Sequence, residues 1–330
     1  MSNLIAWIIR AIPFGTIIMY GAMGEGVTEK SGNLNLGVPG IMYLGGFAGY
    51  AAAFLYEKNV AEPNKLVIIL LSLLCCILAS MLGGLIFSFL TITLRANQNV
   101  SGLALTTFGM GVANFFGSFI LGDSSYAAAP IAFSAFSAKI PWISTKTGAV
   151  GEMFFSYGFL VYAAIVLAVL LHFFFKRTRV GLNLRAIGEN PATADAAGIN
   201  VTRYKYMATC IGAGISGIGG LYYVLDYNHG IWATTGQIES LGWLALALVI
   251  FATWKPLNII WGAYLFGTLY WLYQYLPNLM GFTLPNYAIE LVQMVPYVVT
   301  ICVLIAVSLR KKRENQPPAS LGVAYFREER

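Results

Sequence analysis

The feature that most constrains this chain is a repeated supply of apolar runs about as long as a bilayer is thick. They cover residues 4–23, 38–54, 66–94, 101–121, 153–175, 206–225, 241–253, 257–275 and 284–309. None alternates apolar and polar residues strictly, which argues against barrel strands. In hydrocarbon a helix satisfies its backbone N–H and C=O groups within one segment. With 58% hydrophobic and 10% charged residues over 330 positions, the apolar surface exceeds what a soluble core can hide. The expected fold is all-α, a polytopic transmembrane bundle of about nine crossings in residues 1–309. A basic tail, 310–330, is expected to be disordered. The first run lacks the basic start and small-residue cleavage site of a removable signal peptide and reads as a retained span. Cys75, Cys76, Cys210 and Cys302 all fall in apolar runs without ligand spacing, and read as small buried hydrophobes.

Positive charge sets the orientation. The island 176–205 carries Lys176, Arg177, Arg179, Arg185, Arg203 and Lys205, and the last run stops at Arg310 to Arg313. Both belong in the cytoplasm. An even number of crossings must then separate them, which makes 241–253 a span, although it is short enough to be re-entrant. Counting back puts Arg95 and residues 24–33 inside, with 122–152 and the N-terminus outside. The net charge of +6 is accounted for by loops beside anionic lipid and implies no nucleic acid.

Within the island, Asn190 has a side-chain oxygen that can cap free N–H groups and Pro191 suits a first helical position. Gly198 can close a helix in the left-handed conformation. The spacing predicts a helix of about two turns near 191–197. Such a helix is too short to persist alone and needs a surface to lie against. It offers a face of small residues, Ala192, Ala194, Ala196 and Ala197, with Thr193 between them. Arg185, Glu189, Asp195 and Arg203 flank that face and can form charge pairs. The alternative is an ordinary basic loop.

Two polar segments containing glycine each lead into an apolar run: 24–35, with Glu25, Glu29, Lys30, Asn33 and Asn35, and 226–239, with Asp226, His229 and Glu239. Their arrangement suggests weak internal duplication and broken helices whose free ends bind a polar solute. For the first segment, a short turn with a solvated Glu29–Lys30 pair is the competing reading. Ionisable groups at membrane depth are costly and mark candidate sites. Asn33, Asn35, Glu239, Glu290 and Gln293 are therefore candidates for a translocation path. A structural hydrogen bond is the alternative for Glu290, and an interfacial charge for Glu239. The glycines of 212–220 predict a close helix neighbour. Phe108, Phe115, Phe116 and Phe119 read as packing or lipid contacts.

No G-x-x-x-x-G-K-[ST] loop, H-E-x-x-H or G-x-S-x-G occurs. The chain reads as a transport subunit rather than an enzyme, with no cofactor, and it cannot drive uphill transport from ATP by itself. An ion-coupled secondary transporter or channel, with Glu290 or Glu239 carrying the ion, is the competing class.

Three stretches carry a family resemblance: GEGVTEKSGNLNLGVPGIMYLGGFAGY at 24–50, GLNLRAIGENPATADAAGINV at 181–201 and SLGWLALALVIFATWKPLNIIWGAYLFG at 240–267. In order and spacing they resemble the inner-membrane permeases of ABC transporters for ribose, nucleosides and branched-chain amino acids. The nearest likeness is to those paired with basic membrane protein-type lipoproteins. The resemblance implies a multi-pass subunit in the cell membrane that imports a small polar solute, with nucleosides favoured and simple sugars as the alternative. It implies as partners an ATP-binding subunit, a second permease subunit or a second copy of this chain, an extracytoplasmic lipoprotein that delivers the solute, and lipid. It also makes the 191–197 helix the element that docks on the ATP-binding subunit, and the LNLG segment, 34–37, part of the pore lining.

Overall fold

The computed structural model describes residues 3–121, 128–139, 148–232, 236–280, 285–310 and 316–326. Each apolar run is helical. In chain order the helices are α1 (Asn3–Glu29), α2 (Val38–Asn59), α3 (Lys65–Ser88, extended by a π-helical turn, Phe89–Thr93) and α4 (Gln98–Leu121). Two short helices, α5 (Pro130–Phe136) and α6 (Gly148–Phe155), precede α7 (Phe159–Arg177). Next come α8 (Arg179–Glu189), α9 (Pro191–Ala196) and α10 (Val201–Tyr222, extended by a π-helical turn, Tyr223–Tyr227). The short α11 (Gln237–Phe251) and α12 (Pro256–Met280) follow, and α13 (Asn286–Gln293) and α14 (Val295–Arg310) share the last apolar run. The break between α13 and α14 falls beside Pro296, which has no N–H to continue the helical ladder.

The core is built on backbone contact. α10 runs through the middle, antiparallel to α1: Ser216 Oγ donates to the Gly21 carbonyl at 3.2 Å, and Gly24 lies on Gly212. A Cβ added at Gly46 on α2 would fall 2.9 Å from the Gly220 carbonyl oxygen, so only glycine admits this approach. Such close packing is how helices associate where the surrounding lipid is as apolar as their side chains. The glycine run 212–220 therefore has the neighbour that its composition predicted. The outer faces are greasy: Leu66, Leu70, Leu74, Leu78 and Leu82 form an exposed stripe on α3, and Phe115 and Phe119 stand exposed on α4.

The elements depart from the sequence expectation in four places. α1 continues through Gly24 and Gly26 to Glu29, so only 30–37 is broken backbone. The basic island holds two helices instead of one, because Thr178 caps α8 by accepting from the Gly181 N–H at 3.0 Å. The segment after α10 returns alongside α2, where Trp232 packs among Tyr43, Phe47 and Tyr50, before α11 starts beside Tyr43. Residues 316–326 are docked on the basic end rather than disordered. Ser320 N–H donates to the Gly188 carbonyl at 3.0 Å, Gly322 N–H to the Gly32 carbonyl at 3.2 Å and Tyr325 OH to Asp195 Oδ2 at 2.8 Å. Main-chain pairing of this kind leaves no trace in composition. Of the outer loop 122–152, Trp142 lies outside the described residues.

Candidate functional site

At the basic end, α9 has the caps its residues predict. Asn190 Oδ1 accepts from the Thr193 N–H at 3.0 Å, Pro191 opens the helix, and Gly198 closes it at φ +82°. Ala194 is the anchor, buried against Ile187 of α8 and Val201 of α10. Arg185, Glu189, Asn190, Thr193, Ala196, Ala197 and Gly198 remain exposed, Ala192 is half-buried, and Asp195 takes the Tyr325 hydroxyl. The result is a small, firmly seated knob presenting alanines and charges outward.

The knob is tied to α1. Gly188, at the end of α8, packs on the Lys30 carbonyl with no room for a side chain. Burial first, and then the neighbouring Arg185, push the Lys30 ammonium down to about 8, against the pull of Glu189 and Glu29.

Next to it lies a buried polar seal. Glu25 and Glu29, one helical turn apart, are 1% and 3% exposed. Glu25 Oε1 accepts from the Asn35 N–H at 2.8 Å, and Glu29 Oε2 accepts from the Trp254 indole N–H. Trp254 and Thr253 adopt φ of 55° and 52°, a conformation that bulky or branched residues avoid. The 30–37 connection is then stitched from every side. Gln98 Oε1 accepts from Leu34 N–H at 2.7 Å, Asn33 donates to Thr209 Oγ1 at 3.2 Å, Asn35 Oδ1 accepts from Gly37 N–H at 2.9 Å, and Thr106 donates to the Leu36 carbonyl at 3.0 Å. Asn33 and Asn35 are thus occupied within the chain.

The opposite end is open by comparison. Asp226, in the π-helical turn, has Oδ2 buried with no hydrogen-bond partner among the described residues, and it faces a cavity of about 690 Å³ with Arg10, Tyr157, Tyr222 and His229. Tyr227 and Trp271 also line a second, smaller cavity of about 250 Å³. Its walls are Phe14, stacked on Tyr270 at 4.0 Å, together with Tyr223, Gln237 and Ser240. Tyr223 OH donates to Gln237 Oε1 at 2.5 Å. Gln237 and Ser240 belong to the first turn of α11.

The five path candidates are not brought together. Asn33 and Asn35 serve the seal, Glu239 is half-buried beside Tyr43, and Glu290 is exposed on α13, while the Gln293 side chain lies outside the described residues. Glu25, Glu29, Trp254, Asp226 and Gln237 are not among the residues that the sequence marks as path candidates. The signal for the first two was their i, i+4 spacing in GEGVTE, legible once that stretch is taken as helix.

The family model described as "Branched-chain amino acid transport system / permease component" matches residues 7–304. The guanosine ABC transporter permease protein NupQ of Bacillus subtilis is 32% identical over 94% of this chain and 92% of its own. The nucleoside ABC transporter permease protein NupC of Lactococcus lactis is 30% identical over 88% of each. A provisionally named glucose ABC transporter permease of Haloferax volcanii is 32% identical over 77% of this chain and 72% of its own. No solved structure matches. The chain belongs to this family of permease components and is a multi-pass helical membrane protein, the transport subunit of an ABC importer rather than an enzyme.

Proposed function

We propose that this permease carries nucleosides across the membrane. The observation that carries the reading is the cavity beside α11. A stacked aromatic pair forms one wall and an amide, a hydroxyl and a tyrosine stand opposite. A nucleoside asks for both: a flat π-face for the base, and donors and acceptors for its edge and for ribose. Asp226, with a buried oxygen lacking a partner, suits a hydroxyl donor on the way in. The nucleoside-named relatives, matching over most of both chains, support the same cargo. The glucose-named relative favours a sugar as the second reading, because hydroxyl recognition by Asp226 and Gln237 serves either.

Membership of the family supports an ATP-binding subunit and a substrate-binding protein as partners, and we propose the following arrangement. α9 docks on an ATP-binding subunit in the cytoplasm, a second permease subunit completes the pore, and an extracytoplasmic lipoprotein delivers the solute to the open end. Force on α9 reaches the seal through α8, the Gly188–Lys30 contact and the end of α1, and then passes by way of Glu29 and Trp254 into the α11–α12 turn. Opening therefore means parting Trp254 from Glu29. The deciding measurement is uptake of labelled guanosine and labelled glucose by cells carrying the complete transporter. Guanosine accumulation, reduced at least tenfold by Tyr270→Ala, is the expected result. Glucose accumulation without guanosine would give the chain to the second reading. Arg185→Glu should leave basal ATP hydrolysis in place while uptake falls; full uptake would remove α9 from the coupling role.

A further inference from the structure

We propose that the basic end holds a second binding site, for a soluble phosphate-bearing anion, between the start of α10, the turn after α3 and the docked tail. The site is a cavity of about 560 Å³, within the range of small-molecule clefts. Arg95, Arg203 and Lys205 line it, with Asn33, Gln98 and Asn200 as polar neighbours. Asp195 is the one carboxylate among the lining residues, and it already accepts the Tyr325 hydroxyl.

Lys205 carries the argument. It is 3% exposed, and among the described residues no group accepts a hydrogen bond from its ammonium, its carbonyl alone being engaged by Thr209. An ammonium largely withdrawn from water and without a counter-charge is costly, and an anion seated in the cavity onto which it opens lowers that cost. Two guanidinium forks beside one ammonium match the several oxygens of a phosphate better than the two of a carboxylate. The rim supports a soluble source over a lipid headgroup. Beyond Thr91 and Ile92 of the α3 extension, it is formed by Ala324 and Tyr325 of the tail and by 198–203, the connection into the first turn of α10, so most of it lies outside the spans. Arg95 holds φ at 58°, with its guanidinium 4.6 Å from the Phe326 ring, so the tail borders the site directly. Binding there would be sensed by the tail and by α9 together. The site borders the seal through Asn33 and Gln98, is separate from the cavity beside α11, and does not depend on which solute is carried.

The test is thermal unfolding of the full transporter in nanodiscs of neutral phosphatidylcholine, with inorganic phosphate and, separately, adenosine monophosphate as probes. Either probe should raise Tm by several degrees in the natural chain and by none in Lys205→Gln. Arg203→Gln should weaken the effect at least tenfold in half-saturating concentration, which keeps the test decisive if Lys205→Gln fails to fold. A shift unchanged by both substitutions would overturn the site, as would no shift from either probe. A shift that appears only when phosphatidylglycerol is added to the discs, with soluble probes inert, would overturn the soluble source.

Discussion

Two connections that look alike in the sequence have opposite characters in the fold. Residues 30–37 and 228–232 each follow a long helix and each contain glycine, yet they sit at opposite ends of the antiparallel pair α1 and α10. Around the first, Leu34, Asn35 and Gly37 N–H groups meet side-chain oxygens from Gln98, Glu25 and Asn35, and both buried glutamates accept a hydrogen bond. Around the second, Asp226 Oδ2 and Trp232 Nε1 are buried without hydrogen-bond partners among the described residues, and two adjoining cavities begin there. A buried polar group left unmatched costs about 1–3 kcal/mol. Such a cost persists where a bound molecule removes it during function. Under the gating proposed above, the contrast corresponds to one state of an alternating cycle, with the Glu29–Trp254 contact closed and the far end receptive.

The comparison can be broken by substitutions at matched places. The largest effect should come from Asp226→Asn: uptake falls at least tenfold while Tm stays level or rises, measured on purified transporter and in cells. A large loss of Tm would mean that Asp226 serves the fold instead of the solute. Trp254→Phe should do the reverse at the sealed end. It strips the Glu29 carboxylate of its indole donor and lowers stability by about 1–3 kcal/mol, visible as a drop in Tm. Gln98→Ala orphans the Leu34 N–H, so a loss of about 1 kcal/mol is expected, with the half-saturating solute concentration unchanged. The smallest effect is a pH slope. Lys30 titrates near 8 in the fold against an ordinary 10.5, so below pH 8 both states hold the proton and the cost of burial is fully present. As pH rises from 8 towards 10.5 the folded chain sheds that proton first and stability increases. Lys30→Gln should flatten that rise; an unchanged slope would show that Lys30 is charged as freely as in water.

What was legible in the sequence follows the physics of each feature. Apolar run length carries the helix positions, and three residues, Asn190, Pro191 and Gly198, carry α9 almost to its ends, because caps are local chemistry. The seal was not legible in that way. Glu25 and Glu29 look like loop residues until Trp254, more than two hundred positions on, is seen to donate to one of them. Lys205 is similar. Counted as one more positive charge beside the membrane, it is drawn inward only because Asn200 starts α10 five residues earlier and turns that position to the inside of the bundle. The tail misled for the converse reason: Pro317-Pro318 and scattered polar residues read as disorder, while its attachment is by main-chain bonds to Gly188 and Gly32.

The Trp254 indole has an optical consequence. A tryptophan whose N–H is held by a carboxylate in a dry, packed setting emits differently from one wetted by solvent. With the other six tryptophans replaced, Trp254 fluorescence would colour-code the two halves of the transport cycle in real time, with no dye attached to the protein.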